Sequence, residues 1–184
     1  MKFYSTNSLY KYAWDQVSAA YWRRYPNPWS KHVLSEDVVS RVVEEDKLKT
    51  KRLLTKTNRL PRWGERFVNS RVACIIEESV VDPVAKTLTT YTRNITFKTL
   101  MVVEEKCVYT VSPQNKEWTT CERQSWVTSG VYGFARAIEA FGIERYKNNV
   151  KKTSKGLEYI LEKLHSPERP VRPLPLPLPQ GNML

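Results

Sequence analysis

The chain is poor in the residues on which catalysis and metal binding usually rest. Its 184 residues include two histidines, His32 and His165, and three cysteines, Cys74, Cys107 and Cys121. The cysteines are far apart and form no CxxC pair. A zinc site or a disulfide framework therefore lacks its parts, and the three read as reduced, mostly buried thiols. No GxxxxGK, GxGxxG, HExxH or GxSxG pattern occurs, which removes the phosphate-loop, dinucleotide, metalloprotease and hydrolase readings. Apolar runs are short, and none approaches the roughly 20 residues of a membrane-spanning helix. Residues 1–12 lack the apolar core of a secretory signal, so a soluble or at most membrane-peripheral chain is expected. Glu104 and Glu105 are adjacent; on a strand they face opposite sides and cannot share a substrate, so ion pairing is their expected role.

Positive charge, by contrast, is abundant. Thirty Lys+Arg against nineteen Asp+Glu leave a formal charge of +11, which points to a polyanionic partner: nucleic acid, an acidic membrane surface or an anionic ligand. The length suits one domain with a real core, and 41% hydrophobic residues lie in the ordinary globular range.

Along the chain, residues 2–12 are rich in β-formers. Trp14, Val17, Ala20, Tyr21 and Arg24 follow at helical spacing and stop at Tyr25-Pro26-Asn27-Pro28, because a residue before proline leaves the α region. Residues 32–57 read as two strands broken by a polar turn near 44–47. Residues 60–67, with Pro61 and Gly64, interrupt the pattern as a loop or helical turn bearing Trp63 and Phe67. Strands are expected over 72–81, 86–97, 100–111 and 118–128, and turns this short require antiparallel pairing. The sequon Asn94-Ile95-Thr96 reads as a strand fragment. From 131 to 164 the period is helical, and beyond His165 a Pro-Leu repeat reads as an extended polyproline segment. Its PxxP spacing at Pro170 and Pro173 leaves signalling-module recognition as a minor alternative.

This order belongs to the α+β class, with a long helix laid across a curling sheet. The helix stripe of Phe134, Ile138 and Phe141 continues into Arg145, Asn149 and Lys152. If that face meets the sheet, an anion or a solvated hollow must receive the charges. Alternatively Tyr146, Val150, Thr153 and Leu157 face inward, and Arg145 and Lys152 lie on a wet flank.

Several motifs go further. Trp22-Arg23-Arg24-Tyr25-Pro26-Asn27-Pro28, Lys31-His32-Val33-Leu34, the run from Arg52 to Trp63, Tyr91-Thr92-Arg93-Asn94, Met101-Val102-Val103-Glu104-Glu105, and Asn149-Val150-Lys151-Lys152 with Gly156 together resemble the PRELI/MSF1 family of lipid-transfer proteins. The resemblance covers about residues 3–164. It implies a helix-grip fold, in which a curved seven-stranded antiparallel sheet surrounds a long C-terminal helix and an internal cavity. Residues 1–165 would form the lipid-transfer domain and 166–184 a proline-rich tail. It also implies a carrier, not an enzyme, shuttling phospholipid across the mitochondrial intermembrane space. The carrier would work with a small helical twin CX9C partner and need no cofactor beyond its cargo. The chain looks most like the branch that carries phosphatidic acid, with phosphatidylserine the alternative cargo.

Family positions for the head group carry over onto Arg24, His32, Lys56, Arg59, Arg145, Asn149 and Lys152. Those of a lid that touches an acidic membrane carry over onto Arg62, Trp63, Arg66 and Phe67. On this view Arg24→Glu or Lys152→Glu cuts transfer with little loss of folding. A basic nucleic-acid module and an enzyme built on the same hollow remain as competing readings.

Overall fold

The structure, a computed structural model, describes residues 1–58 and 70–165. The expectations for Arg59, Arg62, Trp63, Arg66, Phe67 and the proline-rich segment lie outside the described residues. The elements run β1 (Lys2–Tyr10), α1 (Trp14–Trp22), β2 (Val33–Glu44), β3 (Lys47–Thr57), β4 (Val72–Asp82), β5 (Thr87–Asn94), β6 (Val102–Val111), β7 (Thr119–Thr128) and α2 (Ala135–His165). The strands form one antiparallel sheet in the order β1-β7-β6-β5-β4-β3-β2. The sheet curves, and α2 crosses its concave face. At 31 residues α2 is about 46 Å long by the helical rise.

Local chemistry explains most boundaries. Glu45 and Asp46 both adopt positive φ, the pair of left-handed residues that a two-residue hairpin turn demands. β5 stops at Asn94, short of the expected 97. The Asn94 amide donates to the carbonyls of Thr96 and Met101 and accepts from the Val103 amide, which folds 95–101 into a loop. The Asn-Ile-Thr triplet is thus a turn-builder at a strand end. α2 begins four residues later than its periodicity suggests, since Gly133 sits at φ +76°, a conformation that interrupts helix. Among the described residues β2 pairs on one side only, with β3, and has register shifts after Val33 and after Val38; such bulges discourage edge-to-edge pairing.

One cluster of the core lies toward one end of the sheet. Tyr10, Trp14, Val17, Leu88, Tyr109 and Leu161 belong to one buried cluster joining α1, the C-terminal half of α2 and the sheet's closed end, where the β2–β3, β4–β5 and β6–β7 turns lie. Cys107 and Cys121 are buried free thiols in this cluster, and Cys74 is a partly buried one.

α2 approaches the segment after α1 closely at Gly156. A Cβ there would meet the Asn27 amide at 2.8 Å, and that amide is engaged: it donates to Arg24 O and accepts from the Trp29 amide. Gly156→Ala gains about 1 kcal/mol of helix propensity but overpacks a held neighbour at about 1–3 kcal/mol. We expect a Tm that falls or stays level. A rise of several degrees in a thermal melt would show that Asn27 yields freely.

Candidate functional site

Beyond the core, α2 and the sheet part around a cavity of about 260 Å³. The period-two alternation of each strand decides what faces it. Leu54, Ile75 and Val103 line it from the sheet, and Phe97, Leu100 and Met101 from the β5–β6 loop. Ile138, Phe141 and Val150 close it from α2. Gly142 lets α2 come down on Met101 and Val127, which a Cβ would strike. This wall is apolar.

Two ionic clusters interrupt it, and each cancels its own charge. Arg24, just past the end of α1, donates to Tyr21 O at 3.0 Å and to Glu77. Its guanidinium stacks on the rings of Tyr21 and Tyr25 at 3.9 and 4.8 Å. Arg52 approaches Glu77 from β3 through Nε at 2.9 Å and through Nη2, and its Nη1 donates to Glu36 at 2.8 Å. Burial would raise the Glu77 carboxyl, but Arg24 and then Arg52 outweigh it and hold the group below the usual carboxylate range. The second cluster centres on Glu105. This carboxylate accepts from Arg123 at 2.9 Å, from Thr92 at 3.3 Å and from the Tyr146 hydroxyl. Burial again pushes it up, and Arg123 with the Tyr146 bond brings it below the ordinary value. Glu104, its neighbour in sequence, points to the exposed face, as the alternation requires.

At the opening a different set meets. His32 precedes β2, and its carbonyl accepts from the Thr57 amide at 2.8 Å, which fixes it beside Lys56 at the end of β3. Arg145 and Asn149 lie one turn apart on α2. All four line the cavity. Lys152, exposed and outside the lining, stands at the rim within electrostatic reach of His32. The imidazole of His32 is held below its ordinary value, first by burial and then by the charges of Lys56, Lys152 and Arg145. Burial also lowers the Arg145 value. Cations from β3 and α2 therefore superpose their fields on one half-buried histidine at the mouth of an apolar hollow. Asn58 is also in the lining, and its backbone amide donates to Arg71 O at 2.6 Å. Asn58 and Arg71 are thus held side by side at this rim.

The structure brings His32, Lys56, Arg145, Asn149 and Lys152 together. Arg24 sits deeper, with its charge committed to Glu77. Tyr146 stood in the alternative inward stripe of the helix, whereas Arg52, Glu77 and Arg123 carried no signal as site residues in the sequence. Their inward phase in neighbouring elements would have marked them, but it requires the register. Among the described residues no group of three or more His, Cys, Asp or Glu side chains could hold a metal ion.

The PRELI-like family model matches residues 15–167. PRELI domain-containing protein 1, mitochondrial, of Homo sapiens is 53% identical over 168 residues, covering 89% of this chain and 77% of that protein. Protein UPS1, mitochondrial, of Saccharomyces cerevisiae is 36% identical over 156 residues, covering 84% and 89%. A START superfamily protein from Mycobacterium smegmatis is similar in fold, with a TM-score of 0.53 at 12% identity over 88% of this chain and 98% of that one. A protein from Thermus thermophilus reaches 0.63 at 13% identity, over 90% and 100%.

Proposed function

The chain belongs to the PRELI-like family, and from that premise we propose that it carries single anionic phospholipid molecules between mitochondrial membranes, without chemistry on the cargo. One observation carries the reading. His32, Lys56 and Arg145 line the open end of a hollow walled by Leu54, Ile75, Val103 and Phe141, and Lys152 stands outside it within electrostatic reach of His32. A phosphate at the mouth would meet charge, with Asn149 as a neutral hydrogen-bonding partner, while acyl chains would follow the apolar wall inward. Arg145 offers two parallel N–H donors and the lysines act as point charges. That mix suits a phosphomonoester with no bulky head group. Phosphatidic acid is therefore the proposed cargo and phosphatidylserine the alternative. The proposed compartment is the intermembrane space and the proposed partner a small helical twin CX9C protein. Arg59 would add to the head-group set, and Arg62, Trp63, Arg66 and Phe67 would form a lid at the membrane.

A nucleic-acid partner fits less well, because the cations Lys56 and Arg145 stand at the mouth of a hollow whose walls are apolar. Native mass spectrometry of the purified protein should show a co-purified phospholipid. Fluorescent phosphatidic acid should then move between vesicles faster with the protein and its helical partner than without. Transfer no faster than the blank defeats the proposal, and faster transfer of phosphatidylserine reassigns the cargo.

A further inference from the structure

The two ends of the molecule differ in charge. In the antiparallel order, residues 25–32, 57–58, 70–71, 95–101 and 129–134 all leave the sheet at the mouth. These residues include Lys31, Arg71 and Lys98, with Arg136 following in the first turn of α2, and contain no Asp or Glu. The turns at the closed end carry Glu44, Glu45, Asp46, Asp82 and Glu117, which offset Lys47, Lys86 and Lys116 there. An anionic surface is thus attracted to the mouth in preference to the closed end.

Two of the mouth connections are one structural unit. The Ser129 hydroxyl donates to Leu100 O at 2.7 Å, and the Ser129 amide to Glu139 at 3.1 Å. This ties 129–134 to the 95–101 loop and to α2. The ledge they form exposes apolar groups: Tyr132 is 99% exposed, Phe134 62% and Ile95 41%. A Cβ on Gly130 or Gly133 would meet nothing within 4 Å, so the loop stands away from the body. An isolated exposed ring needs no explanation. Three apolar side chains on adjoining loops, flanked by exposed Lys98 and Arg136, make the pattern of an interfacial anchor, with rings at head-group depth and cations on the phosphates.

We propose that this ledge docks the cavity mouth on an anionic bilayer, with Tyr132, Phe134 and Ile95 entering the interface and Lys98 and Arg136 meeting lipid phosphate. The ledge includes none of residues 59–69, and its purpose, though not its binding, rests on the carrier reading above. Bare phosphate-backbone binding would use the cations and leave the apolar groups in water, which favours a membrane over nucleic acid.

The test is flotation of the full chain with vesicles of phosphatidylcholine alone and of phosphatidylcholine mixed with phosphatidylglycerol. Two paired variants are compared with the parent, Tyr132→Ser with Phe134→Ser and Lys98→Glu with Arg136→Glu. All four side chains are exposed, so the thermal melts should coincide. Each pair should lower partition onto the mixed vesicles about tenfold or more, and the parent should bind neutral vesicles poorly. Two results overturn the proposal: partition within about twofold of the parent for either pair, as when the charge pair alone loses binding, and no flotation of the parent. Lipid retained in native mass spectrometry is read in parallel. A parent that floats through the ledge but holds no lipid would sink the carrier reading and leave the ledge standing.

Discussion

Glu77→Gln should destabilise the fold by about 3–5 kcal/mol, the cost of breaking a buried ion pair by removing one partner, and lower Tm by on the order of 10 °C. The reason is the side chains left behind. Arg24 is 6% exposed and Arg52 1%, and both lose the carboxylate that neutralises them. Glu36 compensates Arg52 in part, from a more exposed position at 2.8 Å. Arg24 retains Tyr21 O and two ring faces, none of which bears a formal charge. Urea unfolding of the parent and variant measures the effect, and a difference below about 1 kcal/mol would mean that water or a rearranged partner takes over from Glu77.

The same geometry fixes the sign of the acid response. Glu77 and Glu105 both have folded-state values below the ordinary carboxylate value. Their contribution is therefore complete above the unfolded Glu value of about 4.3 and is lost as pH falls through the depressed folded values. Glu77→Gln should flatten this part of the stability profile. The expectation that Arg24→Glu spares folding does not survive these contacts. The reversal would set a second carboxylate against Glu77 inside the protein, so transfer and stability would fall together. Lys152 is exposed at the rim, and its reversal should still spare the fold.

What the sequence conveyed about the fold came from two periods and from turn chemistry. Alternation and polar breaks placed all seven strands, and the helical spacing placed α2 to within about a turn. The two helix stripes that competed for the inward face share it: Arg145, Asn149, Tyr146, Val150, Thr153 and Leu157 all line the cavity, while Lys152 lies on the wet flank that the alternative gave it. A hollow presents a wider arc of a helix than a packed seam does. The inward charges were hidden for a related reason. A charged residue in a half-buried strand normally faces water, and only the register shows that Arg52 opposes Glu77, Cys107 opposes Arg123 and Thr92 opposes Glu105 on the inner face. Charge polarity was hidden too. Acid-rich turns alternate along the chain with connections whose described residues contain no acid, and antiparallel folding sorts them to opposite ends.

The second large effect separates cargo recognition from folding. Lys56→Glu combined with Lys152→Glu should reduce phosphatidic acid transfer by roughly 10- to 100-fold, since a hydrogen bond to a charged group contributes about 1.5–3 kcal/mol and each tenfold is about 1.4 kcal/mol. Neither lysine is buried in an ion pair among the described residues, so the melting temperature should stay close to the parent's. Lys56→Arg preserves the charge and should retain most activity, whereas a purely steric role for Lys56 would penalise both changes alike. His32 provides a readout independent of transport. With two of its three cationic neighbours reversed in sign, their depressing influence on the imidazole also reverses, and its NMR titration should move up in pH. If the titration moves while transfer stays at the parental rate, the cations do meet at His32 but no phosphate is held there. If both move and stability does not, the charge at the mouth acts on the cargo, whereas the buried Glu77 and Glu105 clusters serve the walls that contain it.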